Sequence, residues 1–131
     1  MSNLDVSEWF RFAEGDIRFV AWGLEDESPS YHSICFLCQS ASEKYLKALL
    51  LSFGWRLKKE HDLILLANIL KDSYQIDCTQ IIECLISLND YIVEARYPGD
   101  IPVESFTRNM AIEAVGCAKQ VAEFAINLRS T

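Results

Sequence analysis

The sequence predicts an all-α fold, an up-and-down bundle of about five helices, and three observations carry that prediction. Apolar residues recur with a helical period through most of the chain. Strand-like alternation is nearly absent. Proline and glycine cluster at a few junctions, around Pro29, Gly54 and the Pro98-Gly99-Pro102 segment, where a helix would have to stop. The 131 residues suit one helical domain spanning 1–131 around a single core. No repeat, low-complexity run or long linker divides them.

The first helix is expected from about Ser7 to Leu24. Trp9, Phe10, Ala13, Ile17, Val20, Ala21 and Leu24 fall on one stripe of roughly 120°, the width of a core-facing surface. Phe12, Phe19 and Trp22 lie roughly 100° or more from the centre of that stripe. Three large aromatics there form a candidate dimer interface; a broader core covered by other helices is the alternative. Ser28 is the expected N-cap and Pro29 the first residue of the second helix. That helix should run to about Phe53, with Gly54 as its stop.

The stretch WRLKKEHDL reads as a connector. The third helix is expected from about Asp62 to Asp72, with Leu63, Leu66, Ala67 and Leu70 inward. Asp77 or Thr79 should cap the fourth, which is expected to end near Ala95 or Arg96 with Ile81, Leu85, Leu88 and Ile92 on its apolar side. Asn89 and Arg96 share that side, an unusual place for an amide and a guanidinium. The fifth should span about Val103 to Leu128, with Phe106, Met110, Ala114, Cys117, Val121, Phe124 and Leu128 inward. Its alanines at 111, 114, 118, 122 and 125 predict close helix–helix approach.

Composition narrows the function. The net charge is −7 and the pI is 4.7. Such a chain is poorly suited to DNA, to non-specific binding along a nucleic-acid backbone, or to an anionic membrane surface, all of which need clustered cations. A small local basic site remains open to it. No apolar run approaches the ~20 residues that span a bilayer. Five cysteines, an odd count, a Met-Ser-Asn start and no leader point to a cytoplasmic protein with all five thiols free. Cys35 and Cys38 have CxxC spacing, but they sit within a helical pattern and no second CxxC exists. They read as small buried residues, and neither metal nor cofactor is expected.

Lys44 and Lys47 stand at i, i+3 on the second helix. They form either a shallow anion or phosphate site or a solvated face on which Glu43 pairs with Lys47. His61, just after Lys58 and Lys59, is a candidate general base, metal ligand or phosphate contact, or it bonds backbone at a helix start. Arg96 either closes the fourth helix and pairs with Asp90, Asp100 or Glu104, or holds an anionic ligand.

Three segments, CFLCQSASEKYLKALL, KKEHDLILL and LNDYIVEARYP, resemble in order and spacing the signature segments of the HEPN domain family. Gln39, Ala41, Glu43, Lys44, Leu46, Lys47 and Ala48 follow its second-helix pattern. His61-Asp62-Leu63 matches its His-Asp-Leu, and Arg96-Tyr97-Pro98 its Arg-Tyr-Pro. The resemblance covers about the whole chain. It implies a helical bundle that commonly dimerises and works near nucleotides or RNA. Many members are metal-independent ribonucleases carrying Arg, four to six residues, then His. Here no histidine follows Arg96, so the chain departs from the ribonuclease pattern. It looks like the Arg-Tyr-Pro group found beside minimal nucleotidyltransferases.

The leading expectation is a non-catalytic homodimeric module that binds a nucleotide or nucleotide-bearing partner through Lys44, Lys47, His61, Arg96 and Tyr97, acting with a minimal nucleotidyltransferase. A scaffold or toxin–antitoxin component without its own ligand is the second, and an RNA-cleaving enzyme using a base such as His61 the third.

Overall fold

A computed structural model of the protein describes residues 3–92, 98–99 and 101–130. Its described residues form five α-helices and no strand: α1 (Asn3–Leu24), α2 (Tyr31–Ser52), α3 (Leu63–Tyr74), α4 (Ile82–Asn89) and α5 (Arg108–Ser130). Single 3₁₀ turns precede and follow α4, at Thr79–Ile81 and Asp90–Ile92, and another lies at Val103–Ser105. None of the helices is long and apolar enough to cross a membrane.

α2 is the central element. It packs along α1 on one side and α5 on another, while α3 and α4 cover the rest of it. Thirteen of its 22 residues are buried, so it reads as core nearly all round rather than as an amphipathic stripe. Leu46, Leu49 and Leu50 of α2, Leu63, Leu66 and Leu70 of α3, and Leu85 and Leu88 of α4 are almost wholly excluded from water. Each such side chain contributes roughly 1.5–3 kcal/mol by leaving water. All five α5 alanines named above are buried, and the absence of longer side chains there lets α5 lie close to α2. Phe10 meets Tyr45 edge-on at 5.9 Å. The Arg129 guanidinium covers the outer face of that Phe10 ring at 4.3 Å, closing the end of α5 over α1.

The helix ends follow local chemistry; α1 begins at Asn3 rather than Ser7, α4 is capped by neither Asp77 nor Thr79, and there are three further departures from expectation. The Asp26 carboxylate accepts the Ser28 N–H at 3.1 Å, which holds that segment as a turn. The N-cap of α2 is therefore Ser30, not Ser28, and Pro29 lies outside the helix. At the other end, Gly54 adopts φ +95°, the Trp55 N–H reaches the Leu50 carbonyl, and the Gly54 N–H reaches that of Leu51. This pair of bonds with a left-handed glycine is the Schellman stop the sequence implied. The second departure is α5, which begins at Arg108 rather than Val103: Thr107 caps it, its Oγ1 accepting the Met110 N–H at 3.2 Å. The third is the fourth helix, which is broken into 3₁₀, α and 3₁₀ pieces rather than running unbroken. Its expected end at Ala95 or Arg96 lies outside the described residues.

The expectation of five free thiols is corrected. Cys84 of α4 and Cys117 of α5 form a disulfide between facing helices, and Cys35, Cys38 and Cys78 remain free. Both bonded cysteines sit on the inward side of their helices, which brings them together when α4 packs on α5. Thiol titration of denatured protein should accordingly count three without reductant and five after reduction. A count of five in both would remove the bond. Burial pushes the Cys35 thiol up to about 11 and Cys38 higher still, which disfavours the thiolate that redox or metal chemistry needs.

Candidate functional site: a carboxylate shared by a buried lysine and a histidine

Gln39, Glu43 and Lys47 stand at i, i+4 and i+8, one line along α2. The connector and the start of α3 fold across that line. Glu43 is the hub. Its Oε2 accepts from Lys47 Nζ at 3.0 Å and its Oε1 meets His61 Nδ1 at 2.8 Å. The Gln39 amide donates to the His61 carbonyl at 3.0 Å, fixing the backbone of the segment that delivers the imidazole. The Lys47 side chain is 5% exposed, whereas that of His61 is 53% exposed. The site thus has a dry side and an open side. A carboxylate only accepts hydrogen bonds, so Nδ1 carries the proton when the imidazole is neutral, leaving Nε2 free of any hydrogen bond to the described residues.

A second set of bonds begins one residue on. Asp62 is the N-cap of α3, its carboxylate accepting from the Ile64 and Leu65 N–H groups. Asn89, from the last turn of α4, donates to Asp62 Oδ1 at 2.8 Å and accepts the Leu63 N–H at 2.9 Å. This explains an amide on an apolar side: Asn89 completes the cap of a neighbouring helix. Its bond holds the Asp62 carboxyl below the usual carboxylate range, with the backbone donors adding to the effect against partial burial.

The lysines part company. Lys44 turns to α1, where Asp16 takes its ammonium at 2.5 Å. Lys47 turns to Glu43. The expected i, i+4 pair of Glu43 and Lys47 is present, but Lys47 is buried rather than on a solvated face. Lys47 and His61 are therefore brought together through Glu43, and Lys44 is not part of that network. Arg96 and Tyr97 lie outside the described residues. Phe12, Phe19 and Trp22 are 66%, 61% and 72% exposed, on the face of α1 that no other described helix covers. Gln39, Glu43, Asp62 and Asn89 were not named as binding residues from the sequence, although the first three lie in the family-like segments and Asn89 stood out as an amide on an apolar side. The i, i+4, i+8 polar line and an Asp directly before an apolar run were the available signals.

Described residues from all three segments noted in the sequence thus line two adjoining polar networks: Gln39, Glu43 and Lys47 from the first, His61 and Asp62 from the second, and Asn89 from the third. A family model described as the HEPN domain matches residues 6–128. The chain belongs to the HEPN domain family. Two solved structures share the fold of this HEPN domain. The archaeal HEPN homologue ST0689 is 24% identical, with a TM-score of 0.76 and 98% of each chain covered. TT1696 from Thermus thermophilus is 25% identical, with a TM-score of 0.81, covering 93% of this HEPN chain and 96% of its own. No functionally curated protein matches the sequence.

Proposed function

We propose that this HEPN domain is a non-catalytic homodimeric module that binds a nucleotide, or a partner bearing one, on the open side of the Glu43 network, with Arg96 and Tyr97 as further candidate contacts. The observation that carries this reading is Glu43 itself, a carboxylate 13% exposed and held between an enclosed ammonium and a half-exposed imidazole. Such an arrangement holds the half-exposed imidazole by its Nδ1 and leaves Nε2 to meet a phosphate or a base edge, with the Lys47 charge balanced by Glu43 behind it. Lys44 could contribute only by leaving Asp16. The absence of any histidine after Arg96 supports a binding role over the family's ribonuclease chemistry. Action beside a minimal nucleotidyltransferase belongs to the same proposal and rests on the Arg-Tyr-Pro pattern.

The test is a thermal-shift panel of mono-, di- and triphosphate nucleosides and short single-stranded RNA. A ligand at 100 times its Kd stabilises the native state by about 2.7 kcal/mol, a rise of several degrees in Tm. That rise should vanish in His61→Ala and Arg96→Ala. A panel without any shift would overturn the proposal in favour of a scaffold. The Glu43–His61 pair also favours a second reading, RNA cleavage with His61 as base. RNA hydrolysis by the wild type that is lost in His61→Ala would establish it.

A further inference from the structure

Gly15 sits in the middle of α1, where glycine weakens a helix relative to alanine. Nothing among the described residues accounts for it: a Cβ built there meets none of them within 4 Å. At about 100° per residue, Gly15 points nearly opposite the buried Val6 and Ala13, at the centre of the outer face. Phe12 and Phe19 flank it on one side and Arg11 and Arg18 on the other, with Trp22 close to the midline. A residue without a side chain, ringed by exposed aromatics, is what a second helix needs in order to come close.

We infer that the outer face of α1 is a self-association surface in which α1 of a second copy crosses antiparallel at Gly15. This rests on the reading of the protein as a homodimer through Phe12, Phe19 and Trp22 and fixes its geometry. Phe12 lies about 4.5 Å along the axis on one side of Gly15 and Phe19 about 6 Å on the other. A two-fold axis through the crossing reverses one helix and keeps each flank on its own side. It places Phe12 beside the partner's Phe19, and Phe19 beside the partner's Phe12. On the other flank the same reversal sets Arg11 beside the partner's Arg18, and the carboxylates that these arginines hold in one copy, Glu8 at 2.9 Å and Glu14 at 3.1 Å, offset that like-charge approach. The opposed helix dipoles add to the antiparallel choice. At ~200 Å² per aromatic, the exposed parts of six rings supply roughly 800 Å² of the ~1,200 Å² a stable interface buries. A groove of about 370 Å³ beside Phe19 and Trp22 extends the face onto Ile34 and Leu37 of α2.

Light scattering across a dilution series, together with thermal melting, tests this. Wild type should be a dimer. Gly15→Leu should be a monomer whose monomeric fold melts no lower than that of Phe12→Glu/Phe19→Glu, because a Cβ there has open space among the described residues and the position faces outward. Gly15→Cys should form a covalent dimer under mild oxidation, which wild type does not. If Gly15→Leu stays dimeric while Phe12→Glu/Phe19→Glu is monomeric, the face stands and the crossing at Gly15 is overturned. If both stay dimeric, or wild type is a monomer, the face itself is overturned along with the crossing.

Discussion

Replacing Glu43 with alanine is expected to lower the melting temperature by roughly 10–20 °C, from a loss of about 3–5 kcal/mol. The variant leaves the Lys47 ammonium enclosed, its side chain 5% exposed, with no carboxylate in its place. An uncompensated charge in such a position costs far more than the pair contributed while intact, since the desolvation penalty stays and the attraction goes. Lys47→Met should cost much less. It removes the charge that needs solvation, and Glu43 keeps His61 and the nearby Gln39 amide as partners. The double variant Glu43→Leu/Lys47→Met should recover most of the loss, because contacting residues are strongly non-additive. Melting curves by circular dichroism decide it. A Glu43→Ala protein that melts within two or three degrees of wild type would mean that Lys47 reaches water after all.

Asn89→Ala should cost roughly 2–4 kcal/mol, measured by urea unfolding. Two bonds disappear at once. The Leu63 N–H loses its acceptor at the start of α3, beside a fully buried Leu63 side chain. Asp62 loses its strongest donor and must cap α3 alone. The second readout is acid dependence. The folded carboxyl of Asp62 lies below its ordinary value of 3.8, chiefly because of Asn89. A depressed folded value contributes stability above the unfolded one, and that contribution is lost as pH falls through the folded value. Without Asn89 the folded value rises, so the contribution shrinks and its loss sets in at a higher pH. Carboxyl titration by NMR would show the shift. An Asp62 that titrates identically in the variant would separate the two side chains in solution.

The sequence disclosed what depends on local period and little of what depends on distant meeting. Leu63, Leu66, Ala67 and Leu70 were expected inward on α3 and are its buried residues. Their spacing alone decides that. The start of α2 was misplaced because Ser28 and Ser30 flank Pro29 and both are capping types; the choice was made by Asp26, which takes the Ser28 N–H. The start of α5 was misplaced because Val103 and Phe106 continue its apolar pattern although the backbone there is a 3₁₀ turn and then extended. In the candidate site, the Glu43–Lys47 pair was legible from i, i+4 spacing. Its burial was not, because that requires His61, 18 residues away, to fold over Glu43. The partnership of Asn89 with Leu63 spans 26 residues, and the disulfide 33. Both are set by how α3, α4 and α5 pack rather than by any pattern within one of them.

That α2 is buried nearly all round while also bearing Gln39, Glu43 and Lys47 constrains how this lineage can diverge. A single residue inserted ahead of Gln39 turns everything after it by about 100°, carrying the leucines out of the core and the carboxylate away from the imidazole in the same step. Neither can be retuned without disturbing the other, so variation by insertion and deletion is confined to the connectors. Drift on α2 itself is restricted to its nine unburied positions, while the outer face of α1 answers only to the copy it meets and the exposed Arg56-Leu57-Lys58-Lys59 connector is free to diversify. Differences in partner among descendants of this sequence should therefore be written in α1 and the connectors, around an α2 that changes slowly.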